Sequence, residues 1–229
     1  RIREDFGLLR YDYTMSTTDS WSANYTIDDG QRAGIGNERN PIFVNNTTNI
    51  AQTLSVQETH IFSPTILNVA TFGLSRGGGT AETVPLEPFP ANLSFLTGDK
   101  AGSPGSVNIG GGGRTTAVAS IVQSNGSNPH FNNRLIYSGS DDVRVARGKH
   151  TLSFGVKFEK IHQNAYSSGQ GNAGTFTFPT LLAFLQDLPT QFIAIPNPTP
   201  LGSRTKEAAW YVQDEIKLQP NLTLRLGLR

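Results

Sequence analysis

Hydrophobic and polar residues alternate along several stretches of the chain, a pattern typical of β-strands with one apolar side. The clearest stretch is Leu222–Leu228, in which four leucines alternate with polar residues or glycine. Leu152–Phe158 and Trp21–Ile27 follow the same period. Weaker alternation predicts further strands at 5–15, 52–62, 66–76, 134–145 and 205–217. The pattern therefore predicts an all-β fold of about eight strands.

Short and long connections alternate between the predicted strands. The short ones hold the Ser, Asp, Pro, Gly or Asn residues that tight turns use, and they fall at 16–20, 63–65, 146–149 and 218–221. The long ones fall at about 29–51, 77–133 and 163–204. In an antiparallel up-and-down sheet, this order gives four hairpins with every tight turn at one end and every long loop at the other. Transmembrane β-barrels have this arrangement, with short periplasmic turns and long extracellular loops.

The strand lengths also suit a membrane. A strand of about ten residues is roughly 33 Å long, and a tilt of about 40° reduces its height to about 25 Å, the thickness of the apolar band. The leucines and phenylalanines of Leu152–Phe158 and Leu222–Leu228 would face lipid. Lys157, Glu159 and Arg225 alternate with them and would line a wet interior, where we expect them to be candidates for ligand binding. We therefore predict part of a transmembrane β-barrel in the bacterial outer membrane.

Composition narrows the chemistry. The chain has 229 residues and no Cys, which excludes disulfides, thiolate metal sites and Cys nucleophiles. Its formal net charge of +1 gives no electrostatic case for nucleic-acid binding. No apolar run approaches the roughly 20 residues of a spanning helix. The mean hydropathy of −0.31 fits strands that turn only one side to lipid.

The long connections offer few motifs. Pro179–Leu188 has apolar residues at helical spacing, with Pro189 after them, and predicts a short helix packed over the rim of the barrel. Gly110–Gly113 lies in a segment without the strand and helix of a phosphate loop, and we interpret it as part of a flexible loop. The four histidines lack metal-ligand spacing, so we expect no metal and no cofactor. Arg114, His130 and His162 are the loop candidates for ligand binding.

Four segments resemble one known family. Ala208–Arg229, which reads AAWYVQDEIKLQPNLTLRLGLR, resembles a hairpin of TonB-dependent outer-membrane receptors, most closely those of the Oar-like branch. Arg147–Lys157 and Glu58–Asn68 are similar to two other segments of that branch, and Gly174–Phe178 with the apolar run before Pro189 is similar to a fourth. The segments occur in family order. One departure is Ile216, where the family pattern usually has Trp.

The resemblance implies a barrel of about twenty-two strands that is filled by a plug domain and imports a scarce extracellular ligand with energy from the TonB complex. Residues 1–229 contain neither a recognisable plug nor a TonB box, and the predicted topology places both ends at the long-loop side. We therefore expect a single internal segment of the barrel wall, in contact with outer-membrane lipid and with the TonB complex only through the missing plug. A siderophore, a glycan, a peptide or secreted cargo would fit as ligand.

Two alternatives remain open at the level of sequence. The first is a soluble β-sandwich or solenoid that acts as a binding module. The second is an outer-membrane barrel hydrolase, in which His130 or His162 pairs with Asp28 or Asp29 near the rim and activates water. We favour the receptor, and with it a protein that binds and gates but is not an enzyme.

Overall fold

The computed structural model describes residues 1–35, 43–88, 90–96, 105–110, 119–122, 130–166, 174–195 and 199–229. This part of the chain is nearly all strand, with one short α-helix and one 3-10 turn at Ala91–Leu93. The elements in chain order are β1 (Ile2–Thr14), β2 (Asp19–Ile35), β3 (Phe43–Ser63), β4 (Ile66–Pro85), β5 (Ser106–Ile109), β6 (Ala119–Val122), β7 (His130–Arg147), β8 (His150–Tyr166), β9 (Thr175–Phe178), α1 (Leu181–Leu185), β10 (Gln191–Ile193), β11 (Leu201–Gln219) and β12 (Leu222–Leu228).

Eight of the strands form one antiparallel sheet in the order β1-β2-β3-β4-β7-β8-β11-β12. Each strand pairs with the strand before and after it in this order, so the sheet runs up and down. The predicted fold class, an up-and-down sheet of about eight strands in four hairpins, is confirmed. Within the described residues the sheet does not close on itself, since β1 pairs only with β2 and β12 only with β11.

The four tight turns lie where the sequence predicts them, between β1 and β2, β3 and β4, β7 and β8, and β11 and β12. In the first turn the hydroxyls of Ser16 and Thr18 lie 2.8 and 2.9 Å from Oδ2 of Asp19, to which they donate. In the third turn Gly148 has φ +61°, a left-handed conformation that glycine adopts without steric cost. Side-chain hydrogen bonds and a left-handed glycine thus explain why the chain turns tightly at this end of the sheet.

The strands are longer than the alternation predicts. β2 continues to Ile35 and β3 begins at Phe43, so the long connection expected at 29–51 is wrong and only residues 36–42 lie between these strands. β4 likewise extends to Pro85, through three consecutive glycines. The reason is that the sheet ladder uses backbone groups, so polar or glycine-rich segments can pair without any apolar period. Thr48 and Thr80, for example, face each other with their hydroxyl oxygens 2.6 Å apart.

A second sheet of four strands forms within the two remaining long connections, and we call it the loop sheet. Its order is β10-β9-β5-β6. β5 and β6 belong to the connection between β4 and β7, whereas β9 and β10 belong to the connection between β8 and β11. β5 and β9 pair in parallel, from Ser106 opposite Thr175 to Ile109 opposite Phe178. The sequence analysis does not predict this sheet.

The loop sheet holds the hydrophobic core of the described residues, which consists of Val107, Ile109 and Phe178. Ile109 is completely buried. The predicted helix is confirmed as α1 and packs here, with the Phe184 ring 5.1 Å from the Phe178 ring. Thr180 caps α1 by accepting a hydrogen bond from the Ala183 N–H at 3.1 Å.

The eight-stranded sheet has two chemically different faces. Side chains alternate along a strand, and directly paired residues on neighbouring strands share a face. We call the side that carries Leu152, Phe154, Val156 and Phe158 the apolar face; these four side chains are between 39% and 59% exposed. The opposite side is the polar face, on which Ser153 is half-buried and Gly155 buried. Exposed apolar side chains on one face of a single sheet do not fit the soluble sandwich alternative, because a sandwich buries that face against another sheet.

On three strands the apolar face has the same length without charge, whereas β7 and β3 carry Asp141 and Glu58 on this face, in the row of Val156. Each of β2, β4 and β8 has one residue on this face next to its tight turn. After that residue, the first charged side chain on the face is Asp29 in β2, Arg76 in β4 and Lys160 in β8. Each is the eleventh residue of its strand. A spanning β-strand needs about 9–11 residues. The length over which the apolar face of these three strands carries no charge therefore matches the thickness of a membrane. No helix in the described part of the chain is long and apolar enough to span one.

Candidate functional site: the polar face

The three sequence-predicted interior residues all lie on the polar face. Lys157 and Glu159 form an ion pair on β8, with Nζ and Oε1 2.9 Å apart. Arg225 on β12 pairs with Glu215 on β11, with Nε and Oε2 2.7 Å apart. Lys157 and Arg225 are more than half exposed. Each of these charges therefore has a partner of opposite sign and remains open to solvent, as the wall of a wet passage requires.

Between these pairs, three strands are joined by one close contact. Gly155 on β8 has no side chain, and the ring of Tyr211 on β11 lies over it: a Cβ at Gly155 would be 2.6 Å from the ring and 2.3 Å from Oδ1 of Asp142. The Tyr211 hydroxyl donates a hydrogen bond of 2.6 Å to that same oxygen. The glycine thus creates the space in which Tyr211 reaches Asp142 on β7, two strands away. This contact fixes the shape of the polar face at its centre.

A concavity of about 540 Å³ opens on this part of the sheet. Its polar lining comprises Asp142, Lys157, Tyr211, Gln213 and Arg229, and Val156, Trp210 and Leu228 also line it. The lining offers hydrogen-bond donors and acceptors, and it includes both positively and negatively charged side chains. It could bind a polar ligand, but it holds no arrangement of nucleophile and base.

A second recess of about 470 Å³ lies on β3, β4 and β7, nearer the long connections. Gly77 and Gly79 form its floor, and Asn49, Asn132 and Arg134 lie around it. A Cβ at Gly77 would meet no atom within 4 Å, so the recess is open there. The sequence pattern does not predict this recess, because Asn49 falls in the connection expected at 29–51 and Gly77, Gly79 and Asn132 fall in the one expected at 77–133. The run Gly77–Gly79, directly after an alternating stretch, is the signal that could have indicated close approach to the backbone.

The loop candidates do not form a site. Arg114 lies outside the described residues. His130 begins β7 and lies opposite Ala81; His162 lies on β8 opposite Leu135, on the apolar face. Five residues, or roughly 16 Å of strand, separate their register positions. The proposed partners Asp28 and Asp29 lie on β2, with β3 and β4 between them and β7. The structure therefore does not bring together the His–Asp pair of the hydrolase alternative.

Two other histidines pair with aspartates close to the tight turns. Nδ1 of His60 contacts Oδ1 of Asp19, and Nδ1 of His150 lies 2.7 Å from Oδ2 of Asp214. Asp19 is the turn residue of β2, outside the membrane-spanning stretch, and the hydrogen bond from His60 lowers its pKa, with smaller contributions from Ser16 and Thr18. Glu58 lies beside Asp19 and His60. The atoms of these three side chains that could bind a metal ion all lie within 4.8 Å of one another. The hydrogen bonds to Asp19 account for its position without a metal ion.

Comparisons with known proteins agree with this architecture. The family model described as outer membrane beta barrel domain matches residues 1–229. The fold is similar to the crystal structure of the outer membrane transporter YddB from Escherichia coli, with a TM-score of 0.60 and 11% sequence identity. That match covers 98% of this chain and 26% of the transporter, so the chain spans about a quarter of its length. No curated protein matches the sequence.

Proposed function

The chain belongs to the outer membrane beta barrel domain family and lies in the bacterial outer membrane, and from this premise we propose that it forms part of the wall of a TonB-dependent receptor of the Oar-like branch. The apolar face contacts lipid and the polar face lines the path of the ligand. The chain binds and gates, and no bond is made or broken on it.

The sorting of residues between the two faces supports this proposal most strongly. The polar face carries compensated ion pairs, the Tyr211–Asp142 hydrogen bond and two open recesses. A ligand that leaves water for such a wall exchanges one set of hydrogen bonds for another, so it meets no large desolvation barrier. The four segments that resemble the Oar-like branch support the finer assignment to TonB-dependent receptors.

The recess at Gly77 would be the first wall site that an incoming ligand meets, because it lies toward the long connections. Its amide side chains, glycine backbone and single guanidinium suit an uncharged or anionic polar ligand such as a glycan or a peptide carboxylate. The concavity at Tyr211 lies deeper along the same face. The two recesses would thus form successive contacts along one path.

The test of TonB dependence uses the full-length protein and the purified periplasmic domain of TonB. We expect the two to co-purify from detergent, and the interaction to be lost when the plug region is deleted. A full-length protein that assembles in the outer membrane but does not bind TonB would contradict the proposal.

A further inference from the structure

On β4, β7, β8 and β11 the apolar face ends in two rows that hold four basic side chains, which we call the cationic patch: Arg76, Lys160, Arg204 and Lys206. Lys160 and Lys206 are direct cross-strand partners. In the next row, Arg76, Leu135, His162 and Arg204 lie side by side across the four strands. The patch therefore begins one row beyond the apolar pair Phe158–Ala208, on the side of the long connections.

Among the residues that the structure describes, these cations have no acidic partner. None of the ion pairs formed within the described residues includes Arg76, Lys160, Arg204 or Lys206. The nearest acids along the chain, Glu159 and Glu207, also face each other, but on the polar face. The pairs Lys160–Lys206 and Glu159–Glu207 are thus adjacent in sequence but lie on opposite faces of the sheet. The positive pair is on the lipid side and the negative pair is on the interior side.

Like charges directly opposite each other in an antiparallel pair are destabilising. Lys160 and Lys206 therefore weaken the β8–β11 pairing unless an anion compensates them. Arg204 binds Oδ1 of Asn164 at 3.0 Å and two backbone carbonyls, which holds its guanidinium on this surface. Tyr137 lies in the row of the two lysines, and its ring packs edge-on against His162 at 5.8 Å. Tyrosine is enriched at the membrane–water interface, so the level of the patch is the headgroup level.

We propose that the cationic patch binds the phosphorylated headgroups of outer-leaflet lipids. The long connections lie on the extracellular side, and the patch faces outward, directly beyond the apolar-face residues Leu152, Phe154, Val156 and Phe158 of β8. A lipid whose chains cover Phe158 would place its headgroup against Lys160 and Lys206. Its phosphate would supply the anion that this pair lacks. The interior ligand path, on the opposite face, does not take part.

The experiment titrates the full-length protein, in a neutral detergent, with fluorescent diphosphoryl lipid A. The test variant is Lys160→Gln/Arg204→Gln/Lys206→Gln. The matched control is Arg32→Gln/Arg144→Gln/Lys217→Gln, which removes three exposed cations from the polar face. Each cation near an anionic lipid surface adds to the attraction, so we expect affinity for lipid A to fall at least about tenfold in the test variant and to be unchanged in the control.

Dephosphorylated lipid A should bind wild type and test variant equally. The proposal is overturned if the test variant binds diphosphoryl lipid A as wild type does, if the control variant loses as much affinity, or if the difference persists without the phosphates. Inorganic phosphate that displaces lipid A at comparable concentration would indicate a site for free anions and would also overturn it.

A stability measurement separates lost binding from lost folding. In neutral detergent without lipid A, Lys206→Gln removes the like-charge repulsion and should raise the temperature at which the barrel loses its heat-resistant gel migration. With lipid A present, the same variant should gain less from the lipid than wild type does. A variant that is destabilised in both conditions would show that Lys206 has a structural role and would contradict the proposal.

Discussion

At the scale of single residues, the contact of Gly155 with Tyr211 and Asp142 makes the sharpest prediction. A Cβ at Gly155 would lie 2.3 Å from Oδ1 of Asp142 and 3.1 Å from the Asp141 carbonyl oxygen, so the Asp142 carboxylate and the Tyr211 ring have to shift and their hydrogen bond is strained. We expect Gly155→Ala to cost about 1–3 kcal/mol, the usual cost of overpacking. The measurement is the denaturant midpoint of the folded protein in detergent.

Gly139, on the neighbouring strand β7, is the matched control. A Cβ there would meet no atom within 4 Å, so Gly139→Ala should leave the midpoint unchanged or raise it slightly. Equal losses in both variants would show that glycine is required for backbone reasons and not for the space that Tyr211 occupies.

A second residue-scale prediction concerns ligand uptake. Gly77→Leu places a side chain in the open recess near Asn49 and Arg134. Under the proposed uptake function, we expect normal assembly in the outer membrane with weaker ligand capture, measured as growth of cells that depend on uptake through the full-length protein. Unchanged growth would remove this recess from the ligand path.

The sequence predicts which face some of these residues lie on, but not the contacts that others make. Alternation alone places Lys157, Glu159 and Arg225 on the interior side, because a period of two fixes the face of every residue in a strand. It cannot show that Tyr211 reaches Asp142, because that contact depends on the register of three strands. It also cannot distinguish the strand at Gly77–Gly79 from a loop, because glycine has no side chain from which to read a face.

At the scale of elements, a charge introduced on the apolar face of β8 should destabilise the barrel, whereas a charge introduced on its polar face should not. Phe154 lies on the apolar face, paired with Val143 and Val212. Phe154→Arg should cost about 2–4 kcal/mol near the middle of the bilayer and lower the amount of heat-modifiable protein in the outer membrane. Ser153→Arg, on the polar face of the same strand, should assemble normally. If both variants assembled equally well, the assignment of the faces would be wrong.

The loop sheet should unfold separately from the eight-stranded sheet. Ile109 is completely buried in the loop sheet, and Ile109→Ala should cost about 2–5 kcal/mol. We expect faster proteolysis of both connections that contribute strands to it, whereas heat-modifiable migration of the barrel is retained. Leu182→Ala is the control, since Leu182 is 63% exposed on α1.

The tight turns and strand cores follow from sequence because their signals are local. The loop sheet does not, because β5 and β9 are about seventy residues apart and each has only four residues, too few to show a period. The same limit applies to the polar extensions of β2 and β3. Their pairing depends on backbone hydrogen bonds that any sequence without proline can make.

At the scale of the whole molecule, the described sheet has two open edges. β1 and β12 each present a row of backbone groups without a strand partner in the described part, and such edges favour association between copies. The 229-residue chain, produced alone in detergent, should therefore self-associate. Because the sequence has no Cys, single-cysteine variants report contacts cleanly. Thr223→Cys on β12 should cross-link between copies, and Thr71→Cys on the central strand β4 should not.

The parallel pairing of β5 with β9 has a consequence for protein engineering. Surface loops of barrels are usually treated as separate parts that can be exchanged one at a time. Here the connection after β4 and the connection after β8 contribute strands to a single small fold. A chimera that grafts only one of them from another barrel would leave half a sheet without its complement. Only a donor that supplies both connections together would transfer an intact loop sheet, so recombination should keep the two as one unit.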